Sequence, residues 1–291
     1  ANPAYYHDLM SKHRWMVILD EFHRYSLNDS AKWGQAVQSL PYEMMVGLSA
    51  TPDRTDSAET PFSHIKPSAV VGLQDARDED AIRPIQAKRL HYNIEVLNRD
   101  NEPMQLATQD MADPASLDEK LTRDELRFST KYVSHLLTIA LGELQNRRLA
   151  YPHYKALIAA ASCKHAEFVA NLINQLGFDL EADWVGGGSF GRPDCENTEV
   201  IRRFEGGDLP VLVQVNKVGE GFDVPDCSIL VVLRIMQPSV QLTQLVGRVL
   251  RRQKKIADGN KDYGWVFYSS DNPAGQHIDS ICQMTTPQLE Q

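Results

Sequence analysis

The sequence has few cysteines, and no two of them have the CxxC spacing of zinc sites and redox motifs. The four cysteines lie far apart along the 291-residue chain, at Cys163, Cys195, Cys227 and Cys282. This spacing argues against a zinc site and a disulfide framework, and we expect a reducing, cytoplasmic environment. No stretch approaches the roughly 20 apolar residues of a membrane span. The first ten residues also lack the charged and apolar regions of a signal peptide.

An excess of positive charge is also missing, because the formal net charge is −9. A protein that coats nucleic acid through its overall charge is therefore not expected. Contact with nucleic acid would need a local basic cluster, such as Arg251, Arg252, Lys254 and Lys255. The 42% of hydrophobic residues is enough for the cores of two ordinary domains, so a disordered chain is not expected either.

Short apolar runs recur along the chain, and each is followed by a turn and a segment with helical periodicity. These runs are WMVIL, MMVGLSA, KALIAAA, VLVQV, SILVVL and WVFYS. Strands that are apolar on both faces are typical of a parallel sheet covered by helices. The sequence therefore predicts an α/β fold.

A polar segment rich in Asp, Asn and Pro, NRDNEPMQLATQDMADPASLDEK, interrupts this pattern and is interpreted as a linker or insertion. The segment after it predicts one long helix, with Thr122 and Glu125 as a capping box. A second α/β series starts at Lys155. The predicted organisation is residues 1–94 as the first domain, 95–152 as linker and connecting helix, and 153–291 as the second domain.

Two adjacent acids follow the first apolar run, in LDEFH. The predicted strand carries Asp20 and Glu21 at its carboxyl end, where open α/β sheets bind ligands. One carboxylate there can hold Mg²⁺, and the next can orient the water that attacks a γ-phosphate. Two acids at this position can also do no more than cap a strand, so the pattern alone leaves both interpretations open.

The next strand, in GLSATP, ends in small and hydroxylated residues, Ser49, Ala50 and Thr51. Small residues allow another segment to approach closely, and hydroxyl groups can pass a hydrogen bond from the acids to a second domain. The same residues also form an ordinary exit from a strand. Their position one strand and one helix after LDEFH favours the coupling role.

The most specific pattern lies in SVQLTQLVGRVLRR. A helix there places four residues on one face, at spacing i, i+3, i+4 and i+7: Gln244, Gly247, Arg248 and Arg251. It places an apolar stripe on the opposite face: Leu242, Leu245, Val246 and Val249. Two guanidinium groups on one side of a helix fit a polyphosphate, because each planar fork can bind two phosphate oxygens. Gly247 would let a nucleotide approach the backbone.

A loop before this helix, NKVGEGFDVP, contains two glycines that permit a tight turn. Asp223 beyond them can accept a hydrogen bond from a ribose hydroxyl or pair with an arginine of the next helix. A GEG sequence alone is most often only a turn.

Together and in this order, LDEFH, GLSATP, NKVGEGFDVP and QLVGRVLRR resemble the motifs of the superfamily 2 helicases and translocases. The DEAH-like box and the other motifs resemble most closely the branch with restriction-enzyme motor subunits and DNA-repair translocases, from about Trp15 to Ser269. The resemblance implies two RecA-like domains, with ATP and Mg²⁺ in the cleft between them and nucleic acid across both. DNA is favoured over RNA. The resemblance also implies partners of the kind that accompany such motors: nuclease, methyltransferase or defence-system subunits.

The resemblance also assigns roles to single residues. Asp20 and Glu21 become the Mg²⁺-binding and water-activating acids, and His23 couples the nucleotide site to the domain interface. Ser49, Ala50 and Thr51 link hydrolysis to domain motion. The residues that face the nucleotide in the second domain are Gly219, Glu220, Gly221, Asp223, Gln244, Gly247, Arg248 and Arg251, with Arg251 as the arginine finger. The residues that contact nucleic acid are Ser162, Lys164, Asn216 and Lys217, although a Ser-Cys-Lys turn is more often only a helix cap.

The sequence departs from the family by lacking a GxxxxGK[ST] phosphate loop. The family places this loop upstream of its acidic motif, so we expect it to precede Ala1, and we expect this chain alone to be inactive. Phe22 replaces the commoner small residue after the two acids. The leading hypothesis is therefore the carboxyl-side portion of an ATP-dependent helicase or translocase. The alternatives are a degenerate, non-hydrolysing module that binds nucleic acid or a partner, and a site completed by a separate polypeptide.

Overall fold

The structure is a computed structural model. It describes residues 11, 14–22, 25, 36–37, 40, 42–50, 60–62, 66–97, 102–108, 126–188, 190–216, 223–236, 240–256 and 262–285. The chain divides into two compact units, residues 1–71 with 239–244 and residues 72–238 with 245–291. Within the described residues, no helix is long and apolar enough to cross a membrane.

The first unit contains two parallel strands, β1 (Met16–Asp20) and β2 (Met44–Leu48). Their register pairs Met16 with Met44 and Asp20 with Leu48, so both carboxyl ends lie at the same edge. The sequence predicted burial on both faces, but Ile18 is 56% exposed and Met44 58% exposed. Met16 and Leu48 are exposed on the same face of the sheet as these two residues, so one face of the sheet is uncovered in the part of the chain that the structure describes.

The second unit is built on a six-stranded sheet whose strand pairs are all parallel, in the order β3-β10-β9-β6-β8-β7. Every side chain of the central strands β6 and β9 is buried, as expected for a sheet covered on both faces. The predicted α/β class is therefore confirmed. The six strands are β3 (Ile85–Leu90), β6 (Lys155–Ala159), β7 (Ala182–Gly186), β8 (Val211–Val215), β9 (Cys227–Val232) and β10 (Gly264–Ser269).

Six helices lie among the described residues: α1 (Leu73–Asp78), α2 (Thr130–Ala150), α3 (Cys163–Gln175), α4 (Asp194–Gly206), α5 (Val240–Leu250) and α6 (Gly275–Thr285). The long predicted helix is α2, but it begins later than expected. Ser129 is its N-cap, and the Ser129 hydroxyl accepts a hydrogen bond from the Tyr132 N–H. The predicted capping box at Thr122 and Glu125 lies outside the described residues.

Four strands lie where the sequence analysis identified no apolar run: β3, β7, β4 (Asn93–Leu97) and β5 (Pro103–Ala107). β5 falls inside the segment interpreted as a linker and pairs antiparallel with β4. β3 lies in the sheet of the second unit, although the analysis placed residues up to 94 in the first domain. β3 and β5 mix charged or polar residues with apolar ones, so neither forms the apolar run used to detect strands.

Candidate functional site

The two acids lie where β1 ends. Asp20 is the last residue of β1, and Glu21 follows it with a φ of 50°. The Glu21 N–H donates a hydrogen bond to Asp20 Oδ1 at 3.0 Å. A left-handed backbone is uncommon outside glycine and costs on the order of 1–3 kcal/mol. The chain therefore turns sharply at Glu21, and both acids lie at the carboxyl end of β1, the end at which open α/β sheets bind ligands.

Ser49 lies beside these acids, because it directly follows Leu48, the residue of β2 that pairs with Asp20 of β1. The Ser49 hydroxyl donates a long hydrogen bond of 3.5 Å to Glu21 Oε2. One hydroxyl of the second motif therefore contacts an acid of the first, whereas the relay from the acids to a second domain stays a prediction. Ala50 is also described and exposed. His23 and Thr51 lie outside the described residues.

Phe22, the residue that departs from the family pattern, packs on another aromatic ring. The centroids of the Phe22 and Phe62 rings are 5.0 Å apart. Phe62 also lies over the backbone of Gly47, where an added Cβ would be 2.6 Å from Phe62 Cε2. Phe22 therefore has a packing role, and the glycine in β2 makes room for the ring that it contacts.

The helix α5 has the predicted two faces. The apolar stripe is buried, as shown by Leu242, Leu245, Val246 and Val249. Gln244, Gly247 and Arg248 are partly exposed on the other side. A Cβ added at Gly247 would meet no atom within 4 Å, so there is open space beside the backbone at this position.

Arg251 differs from the prediction, because α5 ends at Leu250. Arg251 lies one residue beyond the helix, where it forms an isolated antiparallel bridge with Ile82. Its guanidinium pairs with the Asp223 carboxylate, and the two side chains are 37% and 64% exposed. The pairing with an arginine is one of the two roles that the sequence left open for Asp223. A partly exposed ion pair is weak, so Arg251 could exchange this carboxylate for a phosphate at little cost.

The residues assigned to nucleic acid are in part held by the protein itself. The Ser162 hydroxyl caps α3 and accepts a hydrogen bond from the His165 N–H at 3.2 Å. Lys164 Nζ lies 5.7 Å from the centroid of the Phe190 ring. Asn216 has a φ of 52°, and its Oδ1 accepts a hydrogen bond of 2.6 Å from Arg234 Nη1.

Arg234 was missed by the sequence analysis. Burial lowers the pKa of its guanidinium, and its carbonyl accepts a hydrogen bond from Asn272 Nδ2 at 3.0 Å. The signal in the sequence was a charged residue directly after the apolar run ILVVL. Four other predicted site residues, Lys217, Gly219, Glu220 and Gly221, lie outside the described residues.

Two family models match the chain, in the order of the motifs. The model described as "Type III restriction enzyme, res subunit" matches residues 2–54, which include both acids and the segment Ser49 to Thr51. The model described as "Helicase conserved C-terminal domain" matches residues 137–253, which include Asp223 and Arg251.

Curated relatives match most of this chain. "Putative helicase 22" of Sulfolobus islandicus filamentous virus is 26% identical over 263 residues, which cover 87% of this chain and 42% of the relative. An uncharacterized protein of Mycobacterium tuberculosis is 22% identical over 268 residues, covering 87% of this chain and 43% of the relative. The chain thus spans less than half the length of these curated relatives.

Two solved structures share the fold. A fragment described as a "putative HsdR subunit of a type I restriction enzyme", from Vibrio vulnificus, has a TM-score of 0.59 and 16% identity. The match covers 94% of this chain and 46% of that one. The type ISP restriction-modification enzyme LlaBIII, solved bound to DNA, has a TM-score of 0.57 and 15% identity, covering 96% of this chain and 21% of that one.

Proposed function

We propose, from the premise that this chain belongs to the superfamily 2 helicases and translocases, that it forms part of an ATP-dependent nucleic-acid motor. Duplex DNA is the proposed track. The contact between Ser49 and Glu21 supports the proposal most directly. It joins two motifs 28 positions apart at the edge of the sheet where α/β proteins bind ligands.

The acids fit the chemistry of a magnesium ion. Mg²⁺ prefers oxygen ligands and is commonly bound by one or two carboxylates together with substrate phosphates and water. Asp20 and Glu21 supply two such carboxylates. The described residues contain no cluster of three or more side chains of the kind that binds metals. When bound, Mg²⁺ would neutralise negative charge on the β- and γ-phosphates.

The two acids would then have different roles in hydrolysis. Asp20 would hold the Mg²⁺ ion, and Glu21 would orient the attacking water and take up its proton. The Ser49 hydroxyl, which donates to Glu21, would change its hydrogen bond when Glu21 gains a proton. Ser49, Ala50 and Thr51 would in this way pass the state of the nucleotide site to the rest of the motor, as would His23.

The arginines would neutralise the charge that develops on the transferred phosphoryl group. Arg248 and Arg251 would supply two guanidiniums, with Arg251 as the finger, and such a finger is worth roughly 10³ to 10⁵ in rate. Asp223 would hold Arg251 until phosphate replaces it. The loop and helix residues assigned to nucleotide binding complete the set: Gly219, Glu220, Gly221, Gln244 and Gly247.

Nucleic acid would be held by a few local contacts, because the chain as a whole is acidic. The proposed contacts are Ser162, Lys164, Asn216 and Lys217. Contacts of this kind act on the backbone, so binding should be largely independent of sequence. The neighbours from restriction enzymes support nuclease, methyltransferase or other defence-system subunits as proposed partners.

The test is ATP hydrolysis with Mg²⁺ by this chain and by the complete gene product that contains it, with duplex DNA, single-stranded DNA or RNA. We expect duplex DNA to stimulate the complete product most and Glu21→Gln to abolish turnover. Glu43→Gln is the matched control, because Glu43 is an exposed acid that pairs with Arg14. Turnover that survives Glu21→Gln would contradict the role of the acid. No turnover by either protein would favour the non-hydrolysing binding module.

A further inference from the structure

One buried arginine is not used by the mechanism above. Arg83 lies two residues before β3, and only 1% of its surface is exposed. Its neighbours in the sequence are Ile82 and Pro84, so no pattern marks it as functional. Burying a charge is costly in free energy unless the charge is paired and hydrogen-bonded, so the burial of this guanidinium requires an explanation.

The side chain of Arg83 joins three segments of the second unit. Its Nε donates a hydrogen bond to the carbonyl of Arg251 at 2.6 Å. Its Nη2 donates to the carbonyl of Pro225, two residues after Asp223. Its Nη1 lies 3.0 Å from Oδ1 of Asp262, and both of these side chains are fully buried.

The backbone of Arg83 contributes to the same junction. Its N–H donates to the carbonyl of Leu250, the last residue of α5, at 2.8 Å. The last carbonyls of a helix have no partner within the helix, and a positive charge there is favourable. Arg83 therefore satisfies the carbonyls of Leu250 and Arg251 and places its charge at the end of α5.

Asp262 keeps the guanidinium in place. Its Oδ1 also accepts a hydrogen bond from the Tyr154 hydroxyl at 3.0 Å, and its Oδ2 accepts one from the Gln253 N–H at 2.7 Å. Burial lowers the pKa of Arg83, and the Asp262 carboxylate opposes that shift. Both oxygens of the carboxylate are thus hydrogen-bonded within the protein. Arg83 Nη1 lies at ion-pair distance from Oδ1 but makes no hydrogen bond to any described residue, so the guanidinium is held by its two hydrogen bonds to carbonyls and by the charge of Asp262. Removing one partner of a buried ion pair is costly, because the other charge is left uncompensated.

We propose that Arg83 is a positioning residue that acts through Arg251. Arg251 lies beyond the end of α5, so the hydrogen bonds of the helix alone do not fix its backbone. The guanidinium of Arg83 donates hydrogen bonds to the carbonyls of both Arg251 and Pro225. The side chains of Arg251 and Asp223 thus extend from two backbone segments that the Arg83 guanidinium holds together. This inference rests on the proposed function, because it concerns the arginine assigned to the phosphates.

The test replaces Arg83 by lysine in the complete gene product. Lysine keeps a charge for Asp262, but as a single compact group it cannot replace the fork that reaches two carbonyls and the carboxylate at once. We expect kcat for nucleic-acid-stimulated ATP hydrolysis to fall by a factor on the order of 10 to 100, as for a misplaced catalytic group. We expect KM for ATP to change less than kcat does.

The matched control is Asn197→Ala. Asn197 is also buried, at 3% exposure, and its side chain donates hydrogen bonds to the carbonyls of Gly186 and Arg192 beside β7, at the edge of the sheet opposite β3. We expect this variant to be destabilised with kcat nearly unchanged. If Asn197→Ala lowers kcat as much as Arg83→Lys does, general loosening of the unit explains the effect and the proposal is wrong.

The decisive comparison is made in the background of Arg251→Ala. If Arg83 acts through Arg251, the double variant Arg83→Lys with Arg251→Ala has the same kcat as Arg251→Ala alone. If the double variant instead loses the product of the two single-variant factors in kcat, the proposal is wrong. Should Arg83→Lys fail to fold, the double variant Arg83→Gln with Asp262→Asn takes its place, because it removes both charges together.

A second measurement does not depend on activity. The Nε–Hε resonance of Arg251, assigned by its loss in Arg251→Ala, should shift or broaden in Arg83→Lys and stay in place in Asn197→Ala. If the wild type hydrolyses no ATP, the proposed function fails and this resonance still decides the positioning role. An unchanged resonance in Arg83→Lys would overturn it.

Discussion

Residues with a left-handed backbone lie at the ends of strands and helices in this protein. Glu21 follows β1 and Asn216 follows β8, with φ near 50° in both cases. Both were assigned functional roles from the sequence, and strained backbone is concentrated at functional sites in proteins. Asp80, after α1, is the third non-glycine residue of this kind among those described, and it holds Arg252 through its carboxylate and its carbonyl.

His165 should make the stability of the second unit depend on pH. It is 1% exposed, and its Nδ1 accepts a hydrogen bond of 3.1 Å from the Ala161 N–H. Burial, together with the charge of Arg127, lowers the pKa of His165 to about 4. The unfolded chain therefore binds a proton near pH 6.5 that the folded chain does not, so stability is lost as the pH falls from 6.5 to 4. The loss should approach about 3 kcal/mol.

The matched variant is His165→Asn, whose Oδ1 can accept from the Ala161 N–H without titrating. Urea unfolding between pH 7.5 and 4.5 should show a smaller loss of stability in this variant than in the wild type. Equal pH dependence in the two proteins would show that His165 does not titrate as described.

Gly47 should not tolerate a side chain. Gly47→Ala places a Cβ 2.6 Å from the ring of Phe62, and relieving this clash should cost about 1–3 kcal/mol. Gly142→Ala is the control, because a Cβ there meets no atom within 4 Å and lies inside α2. That change should instead stabilise the protein by about 0.5–1 kcal/mol. Urea unfolding measures both, and a neutral Gly47→Ala would show that the Phe62 ring can move aside.

At the scale of elements, the apolar patterns were the most predictable features. The stripe of α5 and the central strands of the second unit were found from periodicity and apolar runs, because burial leaves a direct mark on those residues. β3 was missed because its middle residues include Lys88 and Arg89, which are exposed at the edge of the sheet. The start of α2 was misplaced because Thr122 gave a stronger capping signal than Ser129.

The cap of α3 gives a prediction that separates two roles of Ser162. Ser162→Ala removes the acceptor for the His165 N–H and should cost about 1 kcal/mol of stability. Ser162→Asp is an equally good cap, but its charge repels phosphate. We expect the Asp variant to keep its stability and to bind duplex DNA more weakly, as measured by fluorescence anisotropy. Unchanged binding would leave Ser162 as a helix cap only.

At the scale of the whole molecule, charge limits how nucleic acid can bind. The net charge is −9, so attraction must come from single basic side chains. With Lys164 and Lys217 as the charged contacts, the logarithm of the binding constant should fall against the logarithm of salt concentration with a slope near −2. Lys164→Gln should reduce the magnitude of the slope by about one. Lys88→Gln, on an exposed residue of β3, should leave it unchanged, and binding indifferent to salt would contradict backbone contacts.

The sequence predicted the parts of the candidate site whose residues are close together in the chain and carry the same charge. Asp20 and Glu21 are close in sequence, as are Arg248 and Arg251, so each pair could be interpreted together. Arg83 could not, because it lies 168 positions from the carbonyl that it holds. Contacts of this kind depend on the order of strands in the sheet, and one sequence does not reveal that order.

The most direct test of the account is movement along DNA. The measurement is ATP-driven displacement of a triplex-forming oligonucleotide from duplex DNA by the complete gene product, beside its Glu21→Gln variant. We predict displacement that requires Mg²⁺ and hydrolysable ATP and that Glu21→Gln abolishes. Binding to the duplex without ATP-dependent displacement would contradict a motor and leave a helicase fold that only binds.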